Sequence, residues 1–187
     1  MKKFMSLLVV ALVLACSMCC VETVSAQGTQ SAANTALGQA DTAQGILESS
    51  LHGANLSCTQ GQQKRDLLQW RVDHDTMPPD VRIAANLLLA AGDNFAGDAV
   101  ADHQYGFNDL YVGNSWLSNA ESSYKTAEGY VEEGYPEYAM WGVCATEADN
   151  ARGFYVSGNV SAHDAWALYE DAEQIYLDGL TLTAPYH

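Results

Sequence analysis

The sequence predicts an all-α domain, a single antiparallel bundle of five or six helices. Three observations carry that expectation. Between Asn108 and Gly134, Leu110, Gly113, Leu117, Ala120, Tyr124, Ala127 and Val131 recur at alternating steps of three and four, which places them on one stripe of an α-helix. Comparable stripes recur before and after it, and strand signals are nearly absent: short runs such as Phe154-Tyr155-Val156 have no partner. The stripe alternates small and large residues, a rhythm suited to close packing of neighbouring helices within one domain.

The chain opens with a targeting pattern. Met1-Lys2-Lys3 is a basic lead and Phe4 to Ala15 an apolar core, the layout of a secretory signal peptide rather than a bilayer span, which needs about 20 apolar residues. Val24-Ser25-Ala26 supplies small residues for cleavage before Gln27, so residues 1–26 are assigned to export and 27–187 to one helical domain. The expected location is secreted or periplasmic. Val13-Leu14-Ala15-Cys16 resembles a bacterial lipobox and leaves a lipid anchor on Cys16 as the alternative. Nothing apolar and long follows Ala26, so no transmembrane helix is expected.

Within the domain, Ala32 to Leu56 reads as a first helix rich in Ala, Gln and Ser, and Cys58-Thr59-Gln60-Gly61 as a break. A second helix, Gln62 to Asp75, holds Lys64, Arg65 and Arg71 and ends at Met77-Pro78-Pro79-Asp80, because proline cannot donate into a helix and disfavours helix at the residue before it. Asp80 is the expected N-cap of a third helix, with Gly92-Asp93-Asn94 a kink and Gly106 and Asn108 the turn into the central one. After Gly134, Pro136 suits a first helical turn, and a fifth helix runs to Tyr155. Ser157-Gly158-Asn159 reads as a turn, Ser161 as a cap with Asp164 in the capping-box position, and Gly179 as the C-terminal cap of the sixth helix. Faint echoes of the central helix 84 and 45 residues away leave a short helical-hairpin repeat array as the alternative architecture.

The chain carries 8 basic and 23 acidic residues. Without Lys2, Lys3 and Glu22 the remainder has 6 against 22, near −16. Such a surface repels phosphate backbones and anionic headgroups, which excludes nucleic acid as a partner and allows cationic ones. Cys58 and Cys144 are the cysteines left after the export segment. In an exported chain two cysteines are expected to pair. The loop of 86 residue steps would be worth about 4–5 kcal/mol in the chain-entropy model.

No Glu-x-x-His, His-Glu-x-x-His, Gly-x-Ser-x-Gly or phosphate-cradling glycine loop occurs. No catalytic residue or organic cofactor is therefore assigned, and an enzyme is the least favoured reading. Asp98 and Asp102, four apart with His103 and Asp109 nearby, form a weak candidate for calcium or another divalent cation. His103 itself falls on an apolar stripe and is expected to be a hydrogen-bonded core residue. All ten tyrosines lie at or after Tyr105, mixed with Trp116, Trp141 and Trp166 and with carboxylates. Trp116, Tyr130, Glu132, Glu133 and Tyr135 form the candidate surface for a protein, peptide or cationic ligand, because aromatic rings join apolar area to a polar tip. The leading function is an exported interaction module; the alternative is a divalent-cation-binding protein.

Overall fold

The structure, a computed structural model, describes residues 28–187. The export segment, its cleavage site and Cys16 lie outside the described residues. The described chain is all-helical, and its helices number three rather than five or six: α1 Gln30–His74, α2 Pro79–Glu133 and α3 Tyr138–Thr183, with a 3-10 turn over Ala184–Tyr186. No described helix is long and apolar enough to cross a membrane.

The helix ends have local causes. Thr29 accepts from the Ala32 amide at 3.1 Å and starts α1. Pro78 caps α2, with Pro79 in its first turn; Asp80 lies inside that first turn rather than at the cap. Arg82 donates to the Val72 and Asp75 carbonyls at 2.6 and 2.8 Å, satisfying acceptors that the end of α1 leaves open. Gly134 ends α2 in the left-handed region, φ 74° and ψ 21°.

The expected breaks at Gly61, Gly92, Gly106 and Gly158 are uninterrupted helix. A glycine inside a helix costs about 1 kcal/mol against alanine, which tertiary packing can offset, whereas proline removes a donor and clashes. All four prolines accordingly fall at helix starts, in a loop or in the terminal 3-10 turn. Ser161 and Gly179 are likewise interior to α3, so neither caps a helix.

These glycines belong to buried stripes with a seven-residue period. On α2 the stripe is Ala85, Gly92, Ala99, Gly106, Gly113, Ala120 and Ala127. On α3 one stripe is Cys144, Ala151, Gly158, Ala165, Ala172 and Gly179, beside Trp141, Ala148, Tyr155, Ala162, Tyr169, Tyr176 and Thr183. A β-carbon on Gly113 would run into the Tyr155 ring, and one on Gly92 into the Tyr176 ring. Gly106 is level with Ala162, so α2 and α3 run antiparallel. Across the other seam Leu47 meets Gly158 and Leu68 meets Gly179, so α1 and α3 run parallel. The bundle is up-down-up, and α2, at 55 residues, sets a length of about 80 Å.

Contacts recur at a 21-residue shift, three heptads, in all three helices. Leu47 and Leu68 each face a glycine, Gly158 and Gly179, and Gly92 and Gly113 each receive a tyrosine, Tyr176 and Tyr155. The recurrence lies inside the helices, not between successive hairpins as the repeat-array alternative required.

The predicted pairing of Cys58 with Cys144 is overturned; both thiols are free. Cys58 packs beside Tyr169. Cys144 lies 25 residues back along the same helix as Tyr169, about 38 Å at the helical rise, whereas a disulfide needs α-carbons within about 7 Å.

Gly92→Ala and Gly113→Ala should each destabilise by about 1–3 kcal/mol through overpacking. At Gly38, Gly45, Gly97 and Gly153 an added β-carbon meets nothing, and alanine there should stabilise by about 0.5–1 kcal/mol. Urea unfolding checks both, and equal effects in the two groups would refute the packing assignment. Alkylation under denaturing, non-reducing conditions should modify both Cys58 and Cys144; a peptide linking the two would refute their separation.

Candidate functional site

The candidate surface falls into two parts. Tyr130 and Tyr135 belong to the end of α2. With Gly134 in the left-handed region, the Tyr135 amide donates to the Tyr130 carbonyl at 2.9 Å, and the two rings meet edge-on with centroids 6.2 Å apart. This is the hydrophobic contact that accompanies a glycine helix terminus, so the Tyr130–Tyr135 pairing has a structural cause. Tyr135 and Tyr138 stay more than half exposed. Around them stand Glu128, Glu132 and Glu133, all exposed, and the partly exposed Glu137. The last turn of α2 holds no basic residue, and among the described residues none of these four acids forms an ion pair.

Trp116 lies 14 residues from Tyr130 on α2, about 21 Å along the axis. It is half-buried and packs against the core. With Ala139, Val143, Thr146, Glu147 and Asn150 it lines an open groove of about 550 Å³ between α2 and α3. Its lining reaches Ala139, the second residue of α3 after the hairpin. Glu147 is held in its wall by the Ser123 hydroxyl, which donates at 2.6 Å.

The ten tyrosines divide. Tyr155, Tyr169 and Tyr176 are buried, Tyr124 is half-buried, and Tyr105, Tyr111, Tyr130, Tyr135, Tyr138 and Tyr186 are exposed. The aromatic bias therefore serves both core and surface. Burial pushes the Tyr155 phenol up to about 12, helped by the charges of Asp41, Glu48 and Glu121. Burial does the same for Tyr169, also to about 12, with Cys58 adding to it.

Asp98 is exposed and Asp102 half-buried. Burial raises the Asp102 carboxyl above the usual range, and Asp164 and then Asp98 push it further. Asp102 thus has like charges rather than a partner, and among the described residues no three His, Cys, Asp or Glu side chains gather to hold a metal ion. The structure brings Asp164 to this pair, a residue read only as a capping acid. His103 lies between Phe107 and Tyr169, with centroids at 4.9 and 5.7 Å. Its Nε2 is buried without a well-aligned hydrogen bond, and the Leu51 backbone is the polar group that acts on it. Burial lowers its pKa.

Two polar clamps join the three helices at the margin of the core. Gln44 on α1 donates to Asn114 Oδ1 on α2 at 3.1 Å, and the Tyr155 hydroxyl on α3 donates to the same oxygen at 2.8 Å. One 21-residue step away, Arg65 donates to both Asp93 oxygens at 2.7 and 3.0 Å, and Tyr176 donates to Asp93 Oδ1 at 2.8 Å. The Arg65 hydrogen bonds hold Asp93 below its ordinary range, against the effect of burial. The Gly92-Asp93 and Gly113-Asn114 dipeptides, 21 residues apart, were the signal in the sequence; each pairs a tyrosine socket with an acceptor.

Stability should respond to pH with two opposed signs. His103 takes its proton later in the folded chain, so the unfolded chain gains protons first and stability falls as pH drops through about 6.5. Asp93 contributes stability above about pH 4, lost as pH falls through its lowered value. Asp102 acts the other way, since its raised carboxyl is protonated first in the folded chain. Urea unfolding across pH should therefore show an acid limb that Asp93→Asn flattens; an unchanged limb would remove Asp93 from the account. At pH 7 Asp93→Asn should cost about 1 kcal/mol, a modest figure because the Asp93 side chain is 40% exposed. No family model, curated protein or solved structure matches the chain.

Proposed function

We propose that this protein is an exported, acidic helical scaffold that acts as an interaction module, receiving a protein, peptide or cationic ligand at the α2–α3 end of the bundle. The reading rests on one observation above the others. The open groove walled by Trp116 and Val143 adjoins a hairpin that carries Glu128, Glu132, Glu133 and Glu137 without a basic residue in the last turn of α2. Apolar rings beside uncompensated carboxylates favour a partner that brings positive charge and apolar area together.

Acids at a helix C-terminus oppose its dipole. Here the N-terminus of α3 follows within a few residues, and its exposed amides offset part of that cost. The hairpin is thereby a stable acidic surface even when empty. Export is read from Met1-Lys2-Lys3 and the apolar run after it, and the low pI of about 4.3 agrees with a protein kept apart from nucleic acid by charge.

The test is affinity capture from the compartment the protein occupies, with the full chain and two variants. Trp116→Ala and the charge reversal Glu132→Lys with Glu133→Lys should each reduce partner recovery by about tenfold. Equal recovery by all three proteins would sink the reading.

A further inference from the structure

The face of the bundle that holds Trp116 carries further half-buried residues. On α2, Asp102, Asp109 and Trp116 follow one another at seven-residue spacing and all are half-buried, so they form one stripe with steps of about 10.5 Å. On α3, Glu147, Phe154 and Leu168 share a stripe of the same period and the same partial burial. Helical geometry places both stripes on the side away from α1. Helix α1 is hydrogen-bonded to α2 at Asp93 and Asn114, and each stripe position lies two residues further on, 200° around the helix. On α3 it is bonded at Arg152 and Asn159 and packs Gly53 on Trp166; Phe154 and Leu168 again stand two residues beyond.

Along this face Trp116 and Phe154 lie near one level, with Asp109 and Asp102 on one side of them and Glu147 on the other. Asp102 and Asp109 form no ion pair or side-chain hydrogen bond among the described residues, while Asp98 and Asp164 add like charge beside Asp102. A half-buried carboxylate among like charges is costly until a cation covers it. Trp116 and Phe154 offer aromatic surface beyond the carboxylates. A second copy of this chain would bring a net charge of −15 to a negative surface, and the electrostatics disfavour it. The stripe from Asp102 to Trp116 covers about 21 Å, and a helix of about 20 residues covers about 30 Å.

We propose that the α2–α3 face away from α1 docks a basic amphipathic helix of a partner protein, with Lys or Arg over Asp102 and Asp109 and apolar side chains against Trp116 and Phe154. This deepens the interaction-module reading and rests on it. The occupant packs as a fourth helix, using the i, i+3, i+4, i+7 anchors of helix-in-groove recognition.

The test uses the full chain and two synthetic peptides of about 20 residues, each with leucine on one helical stripe. One carries lysine beside the stripe and the other glutamate. Calorimetry at physiological salt should show saturable binding of the lysine peptide and none of the glutamate peptide. Asp102→Asn with Asp109→Asn, surface changes that leave the core intact, should weaken binding about tenfold, and Trp116→Phe less than Trp116→Ala. Hydrogen exchange should show new protection on α2 and α3 around Asp109 and Phe154. Equal affinity of the double variant, or equal binding of both peptides, overturns the proposal. Binding lost on charge reversal at Glu132 and Glu133 but kept in the double variant would place the partner on the hairpin, retaining the interaction module and removing this groove. A wild-type dimer that Trp116→Ala dissolves would assign the face to a second copy. A monomer protected there without peptide would assign it to residues 1–27. Either result overturns the proposal.

Discussion

The structure depends on how closely helix backbones approach α3. A small residue at every seventh position of α2 and of α3 removes the side chains that would hold the helices apart, and the tyrosines then lie against bare backbone. Among the described residues, alanine makes up thirteen of the twenty-five buried apolar side chains, so burial per residue is low. Tyr155, Tyr169, Tyr176, Trp141 and the buried leucines supply most of the apolar area. Helix length compensates, because one weakly apolar layer repeated along helices of 45 to 55 residues sums to a core.

Such a core specifies register poorly by itself, since alanine layers resemble one another after a shift of seven residues. The two clamps answer that ambiguity. Gln44, Asn114 and Tyr155 meet in one layer, and Arg65, Asp93 and Tyr176 in another. A one-heptad slip of α2 along α3 would set Asn114 opposite Ala148 or Ala162 instead of Tyr155, and would part Asp93 from Tyr176. Polar groups at the margin of a helical core that demand specific partners help to set register. Gly92 and Gly113 connect the two effects, because each makes room for the tyrosine that bonds the acceptor next to it.

The surface follows from the same geometry. The α1 helix occupies one side of the α2–α3 pair and leaves the other uncovered. There a half-buried stripe combines the carboxylates Asp102, Asp109 and Glu147 with Trp116, Phe154 and Leu168. The basic residues Lys64, Arg65, Arg71 and Arg82 sit toward the opposite end of the bundle. They are engaged there with Glu173, Asp93, the Leu180 carbonyl and the Val72 and Asp75 carbonyls respectively. These four cations fix the chain internally, whereas Lys125 and Arg152 are exposed.

The sequence by itself determined the helical class, both interhelical turns and the inward stripe of the central segment, because these depend on local rules: periodicity, proline sterics and a glycine helix terminus. Leu110 to Ala127 face inward as their spacing requires, and only Val131, near the helix end, is exposed, at 54%. The number of helices was settled by tertiary structure. Gly61, Gly92, Gly106 and Gly158 have the local character of breaks, yet each is spent on a neighbour's side chain or backbone. Whether a glycine ends a helix or admits another one depends on what packs beside it, which no single segment contains. The same holds for Cys58 and Cys144, whose separation is set by strand-free, rod-like packing rather than by loop length.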